Sequence, residues 1–166
     1  NPARAFSYFS RVFTGPGLTW QDLSVIRDHT KLPIILKGIQ CVEDAERALD
    51  YGADGILVSN HGGRQVDGAI GSLDVLAEIA HAIGDRATVL FDSGIRRGAD
   101  VFKAMALGAS AVCVARPYVF ALALAGAPGV REWASNLMAD TELTLGLAGG
   151  SRWSDVSSKN LRREDR

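Results

Sequence analysis

Two cysteines and three histidines in 166 residues leave little material for a disulfide framework or a metal centre. Cys41 and Cys113 fall inside predicted secondary structure, without the short spacing of a zinc or redox motif. They read as small buried hydrophobes in a reducing compartment, with the cytoplasm as the expected location. His29, His61 and His81 lie too far apart to share a ligand set, so no metal is expected. An excess of one charge is also missing. Eighteen Lys and Arg against 19 Asp and Glu leave a net charge of -1, which favours neither nucleic acid nor an anionic membrane as partner. The most apolar region, 111–130, is broken by Arg116, Pro117 and Pro128, so it is no membrane span. No secretory signal is visible. A G-x-x-x-x-G-K-[ST] loop, a strand-borne G-x-G-x-x-G and a G-x-S-x-G elbow are absent. Those absences exclude P-loop, Rossmann-dinucleotide and α/β-hydrolase chemistry.

What is present is a recurring βα unit. Thr19-Trp20-Gln21-Asp22 predicts a helix start, with Thr19 as N-cap and an acid three residues on, running to about His29. A short apolar run at 32–36 predicts a strand buried on both faces. Val42, Ala45, Ala48 and Leu49 recur at helical spacing up to Tyr51, and Gly52 stands where a C-terminal glycine belongs. The cycle then repeats: strand 56–59 with helix 73–83, strand 88–91 with helix 99–107, strand 111–115 with helical residues from Tyr118. A further helix is predicted over 130–147. Four βα units with apolar strands mean an α/β fold with a parallel sheet, either doubly wound or part of a (β/α)₈ barrel. A full barrel takes ~200 to 400 residues, so this chain has room for about half. Residues 157–166 have no apolar face and are expected to form a disordered tail behind a domain at 1–156.

The reactive residues gather at strand ends. Lys37 follows the first predicted strand, Ser59 and His61 the second, Asp92 the third, and Arg116 the fourth. In parallel α/β folds all strand C-termini open onto one face, and that face carries the active site. Lys37 is either a solvated lysine past a strand or a cation facing a developing anion. His61 is either structural or a general base. Gly62 and Gly63 beside it allow close approach of a ligand, and the planar fork of Arg64 suits a carboxylate. Asp67 reads as an ordinary turn residue as easily as a functional one. The turn Asp92-Ser93-Gly94-Ile95-Arg96-Arg97-Gly98 joins strand to helix with two glycines and two arginines, the composition of a phosphate cradle, and Arg116-Pro117 lies in the next loop. Trp20, Trp133 and Trp153 read as packing residues.

Leu36-Lys37-Gly38-Ile39, Ser59-Asn60-His61-Gly62-Gly63-Arg64-Gln65-Val66-Asp67, Asp92-Ser93-Gly94-Ile95-Arg96-Arg97-Gly98 and Arg116-Pro117 resemble the FMN-dependent 2-hydroxy-acid dehydrogenase/oxidase family in order and spacing. The likeness runs from about Leu18 to Leu147. The stretches V-D-G-A-I-G and T-E-L-T-L-G-L-A-G are nearest to its lactate 2-monooxygenase branch. The resemblance implies the C-terminal half of a TIM barrel with FMN at its mouth, oxidising a small lactate- or glycolate-like 2-hydroxy acid. By the same likeness His61 is the base, Arg64 clamps the substrate carboxylate, Lys37 stands at the flavin N1/O2 edge and Ser59 hydrogen-bonds the flavin. Asp92, Ser93, Gly94, Ile95 and Arg96, with Ala115 and Arg116, hold the ribityl phosphate. A homo-oligomer, tetrameric in this family, is implied as well. Ala115 departs from the family's usual Gly-Arg-Pro, adding a methyl beside the phosphate while keeping the amide. The competing readings are a truncated, non-catalytic half-barrel that binds a phosphate-bearing ligand or self-associates, and a non-flavin barrel isomerase or lyase. The last leaves His61-Gly62-Gly63-Arg64 without a role.

Overall fold

The structure, a computed structural model, describes residues 1–13 and 17–162. Helix α1 (Pro2–Phe13) opens the chain, a segment for which the sequence raised no expectation. The Asn1 side chain starts it by accepting the Ala3 N–H. Then come α2 (Asp22–His29), β1 (Ile35–Ile39), α3 (Val42–Asp50), β2 (Gly55–Val58), α4 (Ser72–Ile83), β3 (Thr88–Phe91), α5 (Gly98–Ala106), β4 (Ala111–Val112) and α6 (Arg116–Leu147). Two short 3₁₀ turns, Trp153–Asp155 and Ser158–Asn160, follow. The expected break in the last helical region is real: Ala125 and Gly126 leave helical geometry just before Pro128.

All four strands are parallel, in the spatial order β1-β2-β3-β4. Sequential order decides between the two architectures left open by the sequence. A doubly wound sheet reverses its strand order and carries helices on both faces, whereas a (β/α)₈ barrel keeps its strands in order and its helices outside. Strand register separates the two faces. Leu36, Ile56 and Val89 form one row and Ile39, Val58, Phe91 and Val112 another. Both rows pack with Ala45 and Ala48 of α3, Leu76, Ile79 and Ile83 of α4 and Ala104 of α5 in a single core. The row Lys37, Leu57, Leu90 and Ala111 lies on the other face and outside that core. The chain is therefore an arc of four βα units, half a barrel.

Several expectations are corrected. Thr19 does not cap α2. A turn at Trp20 and Gln21 intervenes, and the Asp22 carboxylate accepts the Thr19 N–H and hydroxyl instead. The first strand begins at Ile35 rather than Leu32, because Pro33 lacks an N–H and Ile34 donates its own to Asp54 Oδ2 at 2.7 Å. Asp54 in turn pairs with Arg27. Only β2 is buried along its whole length; β1 is largely exposed, as befits an edge, and β4 is reduced to two residues. Cys113 is exposed and Cys41 half-buried, so neither is the buried hydrophobe expected. Cys113 follows Val112 in β4 and falls on the face opposite the helices. Within the expected tail, 157–166, a 3₁₀ turn forms at Ser158–Asn160 and Leu161 packs against Phe102, Ala106 and Leu145; residues 163–166 lie outside the described residues. Trp20 stacks near Tyr51 and Trp153 near Phe102, in keeping with packing roles.

The contact between α5 and α6 sets the position of the loop after β3. Gly98, the first residue of α5, is buried and donates its N–H to Asp140 Oδ2 of α6 at 2.6 Å. A Cβ at Gly98 would overlap the backbone of Asp140 and Thr141. Gly98→Ala is therefore expected to destabilise the chain by about 1–3 kcal/mol or more, as overpacking against rigid backbone does. Urea unfolding followed by circular dichroism measures it.

Candidate active site at the strand C-termini

Beyond Val58, Phe91 and Val112 the alternation of the strands aims Ser59, Asp92 and Cys113 at the face away from the helices. The chain continues in register there, since Asp92 N–H bonds Val58 O at 3.1 Å and Cys113 N–H bonds Phe91 O at 2.8 Å. Lys37 reaches this row from β1. Gly38, with φ of 96°, makes a bulge that shifts the register between Lys37 and Ile39, and such bulges re-aim neighbouring side chains. Lys37 Nζ donates to Ser59 Oγ at 2.7 Å and pairs with Asp92 Oδ2 at 3.1 Å. Three strands are thus joined by one polar chain. Burial alone would push the Asp92 carboxyl up, and it is the largest single influence. Hydrogen bonds from Ser59, Ser93 and Lys37, with the Lys37 charge, outweigh it and hold the carboxyl below its usual 3.8. Partial desolvation raises the Cys113 thiol, the Asp92 charge adds to the rise and the Lys37 charge opposes it.

The loop after β2 is pinned at both ends. Asn60 donates its N–H to the buried Ser72 Oγ at 2.7 Å, and the Asn60 and Gln40 side-chain amides both donate to Ile70 O. His61 takes a left-handed conformation, φ 57°, with its N–H on Ser59 Oγ at 3.0 Å. Its imidazole faces the cleft from an exposed position. Arg64 Nε bonds His61 O at 3.3 Å, so base and cation are held in one turn. None of Asn60, Ser72 and Gln40 was nominated by sequence. Their signal is only an ordinary polar residue at a loop end or helix start.

A cleft of about 400 Å³ opens here, and every residue given a role by the family likeness lines it except Ser59, whereas Gly63, Asp67 and Arg97 do not. Ser59 is buried, 1% exposed, and its oxygen already receives Lys37 and His61. Cys113, Val114 and Phe120 also line the cleft and were not nominated. Lys37, Arg64, Arg96 and Arg116 face it against the single carboxylate of Asp92. That is a cationic site on a chain of net charge -1.

The turn after β3 differs from a simple helix-terminus cradle. Asp100 Oδ2 accepts the N–H groups of Arg96 and Arg97, both at 3.0 Å, and Asp140 takes that of Gly98. Three N–H groups at the start of α5 are thereby taken within the protein. What faces the cleft for an anion is the Gly94-Ile95 backbone and the guanidinium groups of Arg96 and Arg116. Lys37 comes from β1 and Arg116 from the start of α6 beyond β4, and both line the cleft, so it offers cations contributed from the two edges of the sheet. An elongated ligand with an anion at one end and an electron-rich ring at the other fits that arrangement, and FMN is such a molecule.

Among the described residues, no group of three or more His, Cys, Asp or Glu could hold a metal ion. Among the same residues, no helix is long and apolar enough to cross a membrane. A family profile described as FMN-dependent dehydrogenase matches residues 1–163. An FMN-dependent alpha-hydroxy acid dehydrogenase of Penicillium citrinum is 52% identical over 145 residues, covering 87% of this chain and 36% of that protein. A 4-hydroxymandelate oxidase of Amycolatopsis orientalis is 54% identical, covering 79% and 37%, and an L-lactate oxidase of Nostoc sp. 47%, covering 94% and 42%. The crystal structure of mandelate oxidase with (S)-4-hydroxymandelic acid superposes with a TM-score of 0.80 at 51% identity, over 83% of this chain and 39% of that one. The chain spans well under half the length of these relatives.

The linkage at Asp92 has a definite sign. Its folded value lies below the usual 3.8, so the paired carboxylate adds stability above that pH, and the contribution is lost as pH falls through the lowered value. Asp92→Asn should therefore lower the melting temperature at pH 7 and flatten its decline below pH 4, both read by thermal melts across pH.

Proposed function

The chain belongs to the FMN-dependent dehydrogenase family, and on that premise we propose that it carries the base, the carboxylate clamp and the phosphate cradle for oxidation of a small 2-hydroxy acid to the 2-oxo acid. The observation that supports this best is the cleft itself. His61, Arg64, Lys37 and the two phosphate-loop arginines line one space, although 79 residues separate Lys37 from Arg116 in the sequence.

The residues divide the work. Arg64, held on His61 O, presents its guanidinium fork to the substrate carboxylate and sets the 2-carbon beside the imidazole. His61 removes one proton from the hydroxy acid, and the same base and clamp serve whether that proton leaves the carbon or the oxygen. FMN, when bound, would supply the acceptor for the two electrons and the second hydrogen, which balances the oxidation to the 2-oxo acid. Lys37, oriented by Asp92 and Ser59, supplies a fixed positive charge where negative charge develops. Arg96, Arg116 and the Gly94-Ile95 backbone hold the phosphate, with Ala115 at its edge. Ser59 acts as the buried support of both Lys37 and the His61 N–H, and Ser93 braces Asp92. The homo-oligomer implied by the family likeness belongs to the same reading.

Purified chain should carry yellow flavin absorbance that bleaches anaerobically on addition of lactate or glycolate. Colour that does not bleach would support the binding-only half-barrel instead. His61→Gln is expected to keep the flavin and lower turnover by about 10²- to 10⁴-fold, the usual contribution of a general base. Arg64→Lys should raise KM more than it lowers kcat, since an ammonium cannot make the bidentate contact. Unchanged turnover in His61→Gln removes this residue from the mechanism.

A further inference from the structure

The peptide group that follows His61 is gripped from both sides. The Gly62 N–H donates to Ser93 Oγ at 3.0 Å, and the Gly62 carbonyl accepts from Arg116 Nη2 at 3.0 Å. Ser93 belongs to the loop after β3 and Arg116 to the start of α6 after β4, the two segments read above as the phosphate cradle. A Cβ at Gly62 would stand 2.6 Å from Arg116 Nη2 and push that side chain aside, and φ there is 69°, a conformation that favours glycine. Ser93 has φ of 84°, a region where a side chain is strained and glycine is free. Its hydroxyl supplies the compensation, receiving Gly62 N–H while donating to Asp92 Oδ1 at 2.8 Å. Glycine in that position would relieve the strain and delete the bridge.

We infer that Ser93 and Arg116 are positioning residues for His61, and that a phosphate group in the cradle orders the catalytic loop through Gly62. The inference rests on the reading of that cradle as a phosphate site. The guanidinium has five N–H donors, and the Gly62 carbonyl uses one, so phosphate adds to this contact rather than displacing it. Arg116 is exposed, and its freedom is lost only once. A phosphate that immobilises it makes the grip on Gly62 easier to hold. Linkage makes the effect reciprocal: loosening the grip weakens phosphate binding by the same factor. The phosphate would then act on the histidine without touching it. That is a reason for a phosphate-bearing flavin over the bare ring.

Hydrogen–deuterium exchange on the full chain tests this, with FMN, riboflavin and inorganic phosphate as separate additions. FMN and phosphate are expected to slow exchange several-fold both in peptides spanning 93–98 and in those spanning 60–68, and riboflavin to leave 60–68 unchanged. With FMN or phosphate at saturating concentration, Ser93→Gly should melt no lower than the natural chain, keep the slowing at 93–98 and lose at least half of it at 60–68. Slowing at 93–98 alone in the natural chain overturns the coupling and leaves the cradle standing. No slowing in either segment overturns the cradle reading and the coupling with it. Equal slowing at 60–68 by riboflavin, or an unaltered response in Ser93→Gly, also overturns the inference.

Discussion

The Lys37–Asp92 ion pair is the contact on which the rest of the site depends. It joins β1 to β3 across β2, and Ser59 sits between them on the intervening strand. Because the sheet is parallel, Ser59 and Asp92 stand side by side past the ends of β2 and β3, and Lys37, beside the bulge at Gly38 in β1, reaches both. Each member then has a second task. Ser59 receives the His61 N–H, Asp92 receives Ser93, and Ser93 receives the Gly62 N–H. The loop after β2 is thus suspended from a polar chain anchored in β1 and at the ends of β2 and β3. A half-buried charge pair of this kind adds little to stability by itself. Its value here is in fixing where the loop stands.

Electrostatics shows how a chain with almost no net charge presents a cationic cleft. Four cationic side chains face the cleft against a single carboxylate, and that carboxylate is already committed to Lys37. Acidic side chains elsewhere balance the sum, and several serve the backbone. Asp100 and Asp140 take the N–H groups at the start of α5, and Asp54 takes that of Ile34. Spending carboxylates on backbone donors away from the cleft leaves the arginines facing it. The proposed anion site accordingly rests on guanidinium groups and two backbone residues rather than on a bare helix terminus.

Much of this was legible in the sequence because it is local and periodic. Apolar runs alternating with helical spacing and closing glycines located α3, β2, α4, β3 and α5 to within a residue or so. The placing of Lys37, His61, Asp92 and Arg116 at or just past strands predicted one rim. What escaped depends on tertiary neighbours. Nothing in Leu32-Pro33-Ile34 says that Asp54 will claim the Ile34 N–H and delay β1. The exposure of Cys113 follows from being at an edge strand on the face without helices, which composition cannot reveal. Ser93 looked like one more phosphate-loop residue, and only its positive φ and its two hydrogen bonds show that its hydroxyl serves Gly62 and Asp92. Order at Leu161 comes from a small cluster with Phe102 and Leu145 that a polar tail gives no hint of.

The central claim is that one cleft holds a phosphate at the β3 and β4 loops and an acid at the β2 loop at the same time. A crystal structure of the full chain with FMN and a 2-oxo acid tests it most directly. The account predicts the phosphate against Gly94, Ile95 and Arg116, the flavin ring towards Lys37, and the carboxylate on the Arg64 guanidinium beside His61. A phosphate bound away from Arg116, or an acid bound without Arg64, would contradict it.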